Sequence, residues 1–146
     1  MCIEHAADHF EGQHYAYARS PWNVVHRRRV ERIDDEHWRV TDDLLGDGEQ
    51  EVALRWHTVD GDWRLDESER KVELFAADVD VAIAFDVPRT LALRVLRGVC
   101  DGDAVAGWQS EYYGEKGPRP TIELRGRVTL PVTLVTLVEL GQRSGR

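Results

Sequence analysis

The stretch formed by residues 127–140, RVTLPVTLVTLVEL, decides the fold class. Its apolar side chains recur at every second position, while Thr129, Pro131 and Thr133 occupy the alternate positions. This period of two indicates a half-buried β-strand, because successive side chains of a strand point to opposite faces. Pro131 has no N–H to donate to a neighbour, so we expect it at a sheet edge or at a β-bulge.

Further segments have strand-like composition and are separated by short turn sequences. They are residues 22–33, 38–45, 51–59, 70–75, 78–86, 91–97 and 121–125. The predicted turns contain Asp34-Asp35, Gly46-Asp47-Gly48, Asp60-Gly61 and Gly102, which favour tight connections. About eight or more short strands without a convincing amphipathic helix predict an all-β fold, a sandwich or a barrel with antiparallel connections.

Length and charge restrict the class of protein. A chain of 146 residues has the size of one domain, so we predict a single domain over 1–146 with loose termini at 1–11 and 141–146. The formal charge of −8 opposes binding to nucleic acid. No apolar run approaches the roughly 20 residues that cross a bilayer, and two cysteines do not make a disulfide framework.

Asp42 is the most informative polar residue of the chain. It shares the predicted apolar face of its strand with Trp38, Val40 and Leu44. An unpaired buried carboxylate costs several kcal/mol, so we expect Asp42 to meet an arginine, a histidine or a cation, or else to line a cleft. In the following strand, alternation places His57 on the face opposite Trp56.

Two other groups are candidates for binding an acidic sugar. The basic run 26–29 includes Arg27 and Arg29, which either hold a carboxylate or sulfate or form a solvated face paired with acidic neighbours. Trp108, Tyr112 and Tyr113 lie in a glycine-punctuated stretch near Arg119. Their rings either stack on a sugar or pack within the protein.

The order of four segments resembles the C-terminal β-sandwich of the heparinase II/III-like family of polysaccharide lyases. The segments are HYAYARSPWNVVHRRRVERI (14–33), WRVTDDLLGDGEQEVALRWH (38–57), GWQSEYYGEKGPRP (107–120) and VTLPVTLVTLV (128–138). The similarity covers about residues 12–138 and implies an antiparallel β-sandwich.

The resemblance also implies a function. Members of the family join a helical toroid to this sandwich and cleave uronic-acid polysaccharides by β-elimination. Much of the catalytic apparatus lies in the toroid, so we expect this chain alone to be glycan-facing and inactive. The alternatives are a subunit of an active lyase whose toroid is on another chain, or a purely structural module.

The same resemblance implies a metal site and a partner. By position, Asp42 and His57 would be ligands of a divalent metal such as Zn. The expected partner is an acidic polysaccharide or oligosaccharide, with no role for nucleic acid or membrane. The first ten residues lack a signal peptide, so the chain as written is expected in the cytoplasm, although family members are often exported.

Overall fold

The computed structural model describes residues 1–101 and 104–142, and their regular structure is entirely β. Within these ranges no helix is long and apolar enough to cross a membrane. The strands are β1 (Cys2–His5), β2 (His9–His14), β3 (Val25–Arg32), β4 (His37–His57), β5 (Asp62–Asp66), β6 (Lys71–Phe75), β7 (Val79–Asp86), β8 (Ala92–Arg97), β9 (Val99–Asp101), β10 (Ala104–Ala106), β11 (Trp108–Gln109), β12 (Gly117–Pro118) and β13 (Pro120–Gln142).

Two long strands, β4 and β13, organise a nine-stranded sheet. Its order is β1-β2-β3-β4-β13-β7-β6-β5, and β8 pairs with β13 beside this path. The first half of β13 lies between β4 and β8, whereas its second half lies between β4 and β7. Every pairing is antiparallel, as the alternation and the short connections predict.

The register of these two strands is interrupted at Pro131. Leu44 pairs with Val132 and Gly48 with Leu130, so residues 45–47 of β4 face Pro131 alone. The β-bulge expected at Pro131 is therefore confirmed, in a strand that has neighbours on both sides. A bulge bends the strand that carries it, so the two halves of each long strand contribute to different layers.

The turn predicted at Gly46-Asp47-Gly48 is wrong. Segments 38–45 and 51–59 belong to the single strand β4, and segments 121–125 and 127–140 belong to β13. The glycines serve the bulge, because a Cβ at Gly46 would lie 2.8 Å from the carbonyl oxygen of Asn23, and Gly48 has a φ of 78°.

The core lies between the two layers of a β-sandwich. One layer contributes Val72 and Leu74 from β6 and Ile83 and Phe85 from β7. The facing layer is formed by the second half of β4, the first half of β13, and β8, and it contributes Leu54, Leu93, Ile122 and Leu124. The predicted strands 70–75 and 91–97 correspond to β6 and β8 and supply part of this core.

The N-terminal residues 1–11, expected to be loose, carry β1 and the beginning of β2. The N–H of Gln13 donates to the carbonyl oxygen of Met1 at 2.9 Å, and β2 pairs with β3 along its length. Glu11 is buried there between arginines of β3, which explains why this polar segment is ordered. The predicted turn residue Gly102 and residues 143–146 lie outside the described ranges.

Candidate functional site

Asp42 is the centre of a buried polar cluster on β3 and β4. Only 1% of its surface is exposed. Arg28 binds it in a bidentate manner, with Nε 2.7 Å from Oδ1 and Nη2 2.9 Å from Oδ2. The Nε2 atom of His26 lies 2.6 Å from Oδ1. The expectation that Asp42 meets an arginine or a histidine is therefore confirmed.

These contacts keep the Asp42 carboxylate ionised inside the protein. Burial is the largest influence on its pKa and opposes ionisation. The hydrogen bonds from His26 and Arg28, together with their charges, outweigh burial and lower the pKa of Asp42 below its ordinary value.

A directional chain of hydrogen bonds leads from Asp42 towards the surface. The backbone N–H of Ala16 donates to Nδ1 of His14 at 3.3 Å, so the proton of a neutral His14 resides on Nε2. That Nε2 lies 3.0 Å from Nδ1 of His26, whose Nε2 then donates to Asp42. Desolvation is the largest of the causes that lower the pKa of His14, which agrees with this neutral form.

The outer end of the chain opens into a cleft of about 460 Å³. His14 and His26 line it together with two aromatic rings, Tyr17 and Trp22, each 51% exposed. The centroids of these two rings are 6.1 Å apart in an edge-to-face arrangement, and Tyr17 makes a similar contact with His14 at 5.5 Å. The cleft therefore combines exposed aromatic faces with a neutral imidazole.

Our sequence reasoning missed Tyr17, Trp22 and His14 as site residues. His14 is the last residue of β2, and Tyr17 and Trp22 lie in the short connection to β3, which carries three aromatic rings with Tyr15. The sequence signal for this site was a connection rich in aromatic residues without the alternation of a strand. Aromatic rings in such a loop are not held in the core by a strand face, so they indicate a surface site.

Arg28 also joins the Asp42 cluster to the second half of β4. Its guanidinium carbon lies 5.3 Å from the centroid of the Trp56 ring. A cation over an aromatic face is attracted by the ring quadrupole. Arg28 thus holds Asp42 with one edge of its guanidinium group while its central carbon lies over the Trp56 ring.

The structure does not bring Asp42 and His57 together. Asp42 pairs with Leu134 and His57 with Thr121 of β13. At the bulge, β4 has two more residues than β13, an even number, so alternation keeps its phase and the two side chains lie on opposite faces. His57 is exposed and its Nδ1 lies 3.2 Å from the Thr121 hydroxyl.

The polar groups around Asp42 do not fit a shared metal centre. Both carboxylate oxygens are engaged by His26 and Arg28, and both ring nitrogens of His26 have partners. Among the described residues, no three His, Cys, Asp or Glu side chains are grouped so that they could hold a metal ion. Metal binding by Asp42 or His57 stays a prediction.

Arg27 and Arg29 lie on the opposite face of β3 from Arg28. The Nη2 atom of Arg29 lies 2.7 Å from Oε2 of Glu11, and Nε of Arg27 lies 3.7 Å from Oε1. Glu11 raises the pKa of Arg29, mainly through its hydrogen bond. Both arginines are therefore brought together, with a shared internal carboxylate already beside them.

The predicted aromatic group lies between β10 and β13 and differs in exposure from ring to ring. Trp108 is half-buried in β11, donates from Nε1 to the carbonyl oxygen of Val99 at 3.0 Å, and has the Lys116 ammonium 3.9 Å from its ring centroid. Tyr112 and Tyr113 are exposed. Trp108 thus makes contacts within the protein, and the two tyrosines are the accessible rings.

Arg119 lies next to the same aromatic region and contacts two carboxylates. It forms an ion pair with Glu111, and its Nη1 lies 3.7 Å from Oδ2 of Asp60. Arg97 binds the other oxygen of Asp60 at 2.8 Å. The predicted sugar-binding residues therefore form two groups, Arg27 with Arg29 on β3, and Arg119 with the aromatic rings after β10.

Comparison with known proteins identifies the family to which this chain belongs. Residues 3–142 match the family described as Heparinase II/III-like, C-terminal. The chain belongs to this family, as the order of its segments predicts. A comparison with curated protein sequences finds no match.

Solved structures of heparinases share the fold. The heparinase III BT4657 gene product aligns with a TM-score of 0.75 and 16% identity over 93% of this chain and 20% of its own. A mutant of heparan sulfate lyase HepC from Pedobacter heparinus aligns with a TM-score of 0.73 and 16% identity over 98% of this chain and 22% of its own. A further heparinase III gives 0.70 and 13% over 100% and 21%. This chain spans about a fifth of the length of these relatives.

Proposed function

We propose that this domain presents a binding surface for acidic polysaccharide within a lyase that acts by β-elimination. Membership of the heparinase II/III-like family supports the reaction class. The observation that carries the binding role is the cleft in which Tyr17 and Trp22 stand beside the chain His14–His26–Asp42. The proposal treats uronic-acid polysaccharide as the substrate class and a helical toroid as the partner.

The lining of the cleft suits a sugar physically. A flat aromatic face packs against the apolar C–H side of a pyranose ring, and an edge-to-face pair offers two such faces at an angle. The His14–His26 chain engages all four imidazole nitrogens within the protein, so it holds both rings in a fixed orientation beside the aromatic faces. Asp42 lies at the buried end of this hydrogen-bond chain and does not contact the saccharide.

The predicted surface formed by Trp108, Tyr112, Tyr113 and Arg119 is the second candidate for the same role. Stacking on Trp108 requires that a sugar replace the Lys116 ammonium or use the remaining part of the ring. Tyr112 and Tyr113 have no such cover. In the same way, Arg27 and Arg29 can bind a sulfate or carboxylate in competition with Glu11.

Calorimetric titration with heparan sulfate oligosaccharides tests the proposal and separates the two surfaces. We expect Trp22→Ala to weaken binding about tenfold, since base–aromatic stacking, a related contact, contributes about 1–3 kcal/mol per ring. Tyr113→Ala probes the second surface, because Tyr113 is exposed and lies outside the cleft. The reverse ranking would assign binding to the second surface, and no binding by the wild-type protein would contradict the proposed binding role.

The activity of the chain alone provides a separate test. Because the relatives contain about five times its length, we expect no unsaturated uronate absorbance with heparan sulfate, alginate or hyaluronan. Activity that appears only after a helical toroid chain is added would support the two-chain alternative. Sustained ultraviolet absorbance growth in a preparation of this chain alone would contradict the proposal of an incomplete catalytic set.

A further inference from the structure

Arg70, in the connection between β5 and β6, combines burial with an unfavourable backbone conformation. Only 9% of its surface is exposed, and its φ is 56°, in the left-handed region. Glycine or asparagine adopts this region at lower cost than a long side chain. The position therefore keeps an arginine at the expense of both desolvation and backbone strain.

One edge of the Arg70 guanidinium group has no partner. Its Nε and Nη2 atoms are closed to solvent and make no hydrogen bond. Elsewhere in this chain the same edge holds a carboxylate, since Arg28 uses Nε and Nη2 for Asp42, Arg94 for Glu123 and Arg125 for Glu51. The geometry of this edge matches two oxygens of a planar or tetrahedral oxyanion.

A second guanidinium group stands beside Arg70. Arg89, in the connection between β7 and β8, donates to the carbonyl oxygen of Ser68 from Nη1 at 3.4 Å and Nη2 at 3.3 Å, both long for hydrogen bonds. Desolvation, and then the charge of Arg89, lower the pKa of Arg70, while the charge of Glu67 acts in the opposite direction. Two guanidinium groups therefore interact electrostatically in this part of a chain whose net charge is −8.

We propose that Arg70 and Arg89 form a binding site for a single oxyanion, a carboxylate or a sulfate group. In this proposal the Arg89 side chain, which is exposed and makes only long contacts to Ser68, turns to meet the anion. The anion then accepts hydrogen bonds from Nε and Nη2 of Arg70 and from Arg89. Binding relieves the unpaired buried cation, which explains why an arginine occupies a left-handed position. This site is separate from the aromatic cleft and does not depend on the proposed function.

The Nε–Hε resonance of Arg70 reports directly on the unpartnered edge. We would titrate ¹⁵N-labelled protein with sodium sulfate, sodium acetate and sodium chloride at constant ionic strength. A saturable shift of this resonance with sulfate or acetate, and none with chloride, is expected. The sulfate and acetate arms identify which oxyanion the site prefers.

Three variants complete the test. Arg70→Gly removes the guanidinium group and relieves the positive φ, so it is expected to fold and to lose anion-dependent stabilisation in thermal unfolding. Arg89→Ala is expected to weaken binding about tenfold, the effect of losing one charge-assisted hydrogen bond. Arg64→Ala, on the neighbouring strand β5 with Glu73 as its partner, is the matched control and should bind normally.

Arg70→Lys guards against a folding defect, because it keeps the charge and loses the bidentate edge. Weak or absent binding by a folded Arg70→Lys protein supports the site. The proposal is overturned if neither sulfate nor acetate gives a saturable shift in the wild type, or if Arg70→Gly retains the same anion-dependent stabilisation.

Discussion

At the scale of single residues, the Asp42 carboxylate links stability to pH. Its pKa is below the ordinary 3.8 in the folded protein, so the unfolded chain takes up a proton first as the pH falls. The contribution of Asp42 is present above pH 3.8 and is lost as the pH falls through the folded pKa. Glu123, held by Arg94 and Arg55 against desolvation, has the same sign from an ordinary value of 4.5.

We therefore expect Asp42→Asn to lower the free energy of unfolding by about 2 kcal/mol at pH 7, the range for hydrogen bonds to charged groups. Urea unfolding at pH 7, 5, 4 and 3 measures the difference from the wild type. The difference should begin to shrink below about pH 4, because the unfolded wild-type chain then takes up a proton at Asp42 while the folded protein still holds the carboxylate ionised. A difference that stays constant down to pH 3 would mean that the charge of Asp42 contributes nothing.

The predicted metal gives a second residue-scale experiment. If Asp42 or His57 binds Zn or another divalent ion, the ion raises the melting temperature by mass action, and Asp42→Asn or His57→Ala removes that gain. Asp42 reaches a metal only if the ion displaces Arg28 or His26 from its oxygens. Equal melting temperatures in Zn and in chelator would count against metal binding by either residue.

At the scale of elements, the chain before β8 lies so close to Gly126 of β13 that no side chain fits at this position. A Cβ at Gly126 would lie 2.1 Å from the carbonyl oxygen of Thr90, which precedes β8, whereas a Cβ at Gly117 meets nothing within 4 Å. Gly126→Ala should cost about 1–3 kcal/mol through overpacking. Gly117→Ala is the control and should be near neutral. Chemical denaturation of both variants measures this, and equal stabilities would show that the Thr90 segment yields freely.

Strand identity could be predicted from the sequence because alternation is local. The period of two in 127–140 and 78–86 follows from which face of each strand is buried, and the structure confirms both strands as parts of β13 and β7. Strand continuity could not be predicted in this way. Gly46-Asp47-Gly48 has the same composition in a hairpin turn and in a bulge, and only the partner Pro131 on β13 decides between them.

The candidate site also combines features that the local sequence predicts with features that depend on strand pairing. That Asp42 needs a partner follows from its own strand, but the identity of that partner depends on the register of β3 against β4, which sets Arg28 directly opposite it. The metal expectation carried two positions over from a resemblance. Alternation along the sequence already places Asp42 and His57 on opposite faces, and the even number of extra residues at the bulge keeps that phase.

At the scale of the whole molecule, the net charge of −8 governs how an acidic polysaccharide arrives. Long-range repulsion extends about 30 Å at 0.01 M salt and about 8 Å at 0.15 M. We therefore expect the association rate of a sulfated oligosaccharide to rise with salt over this range, opposite to the behaviour of a basic protein. A neutral oligosaccharide, measured by stopped flow in the same buffers, should show no such change.

The arginines near the proposed binding surfaces attract a sulfated ligand only at short range. Arg27→Ala and Arg119→Ala should weaken binding of the sulfated ligand mainly at low ionic strength, where screening is slight. A tryptophan ring that stacks on the sugar contributes at any salt concentration, so Trp108→Ala or Trp22→Ala should weaken binding equally in all buffers. Because Arg27 and Arg119 already face Glu11, Glu111 and Asp60, their net attraction should be too small to reverse the repulsion. An association rate that falls steeply with salt would show instead that one basic patch dominates the field at the binding surface.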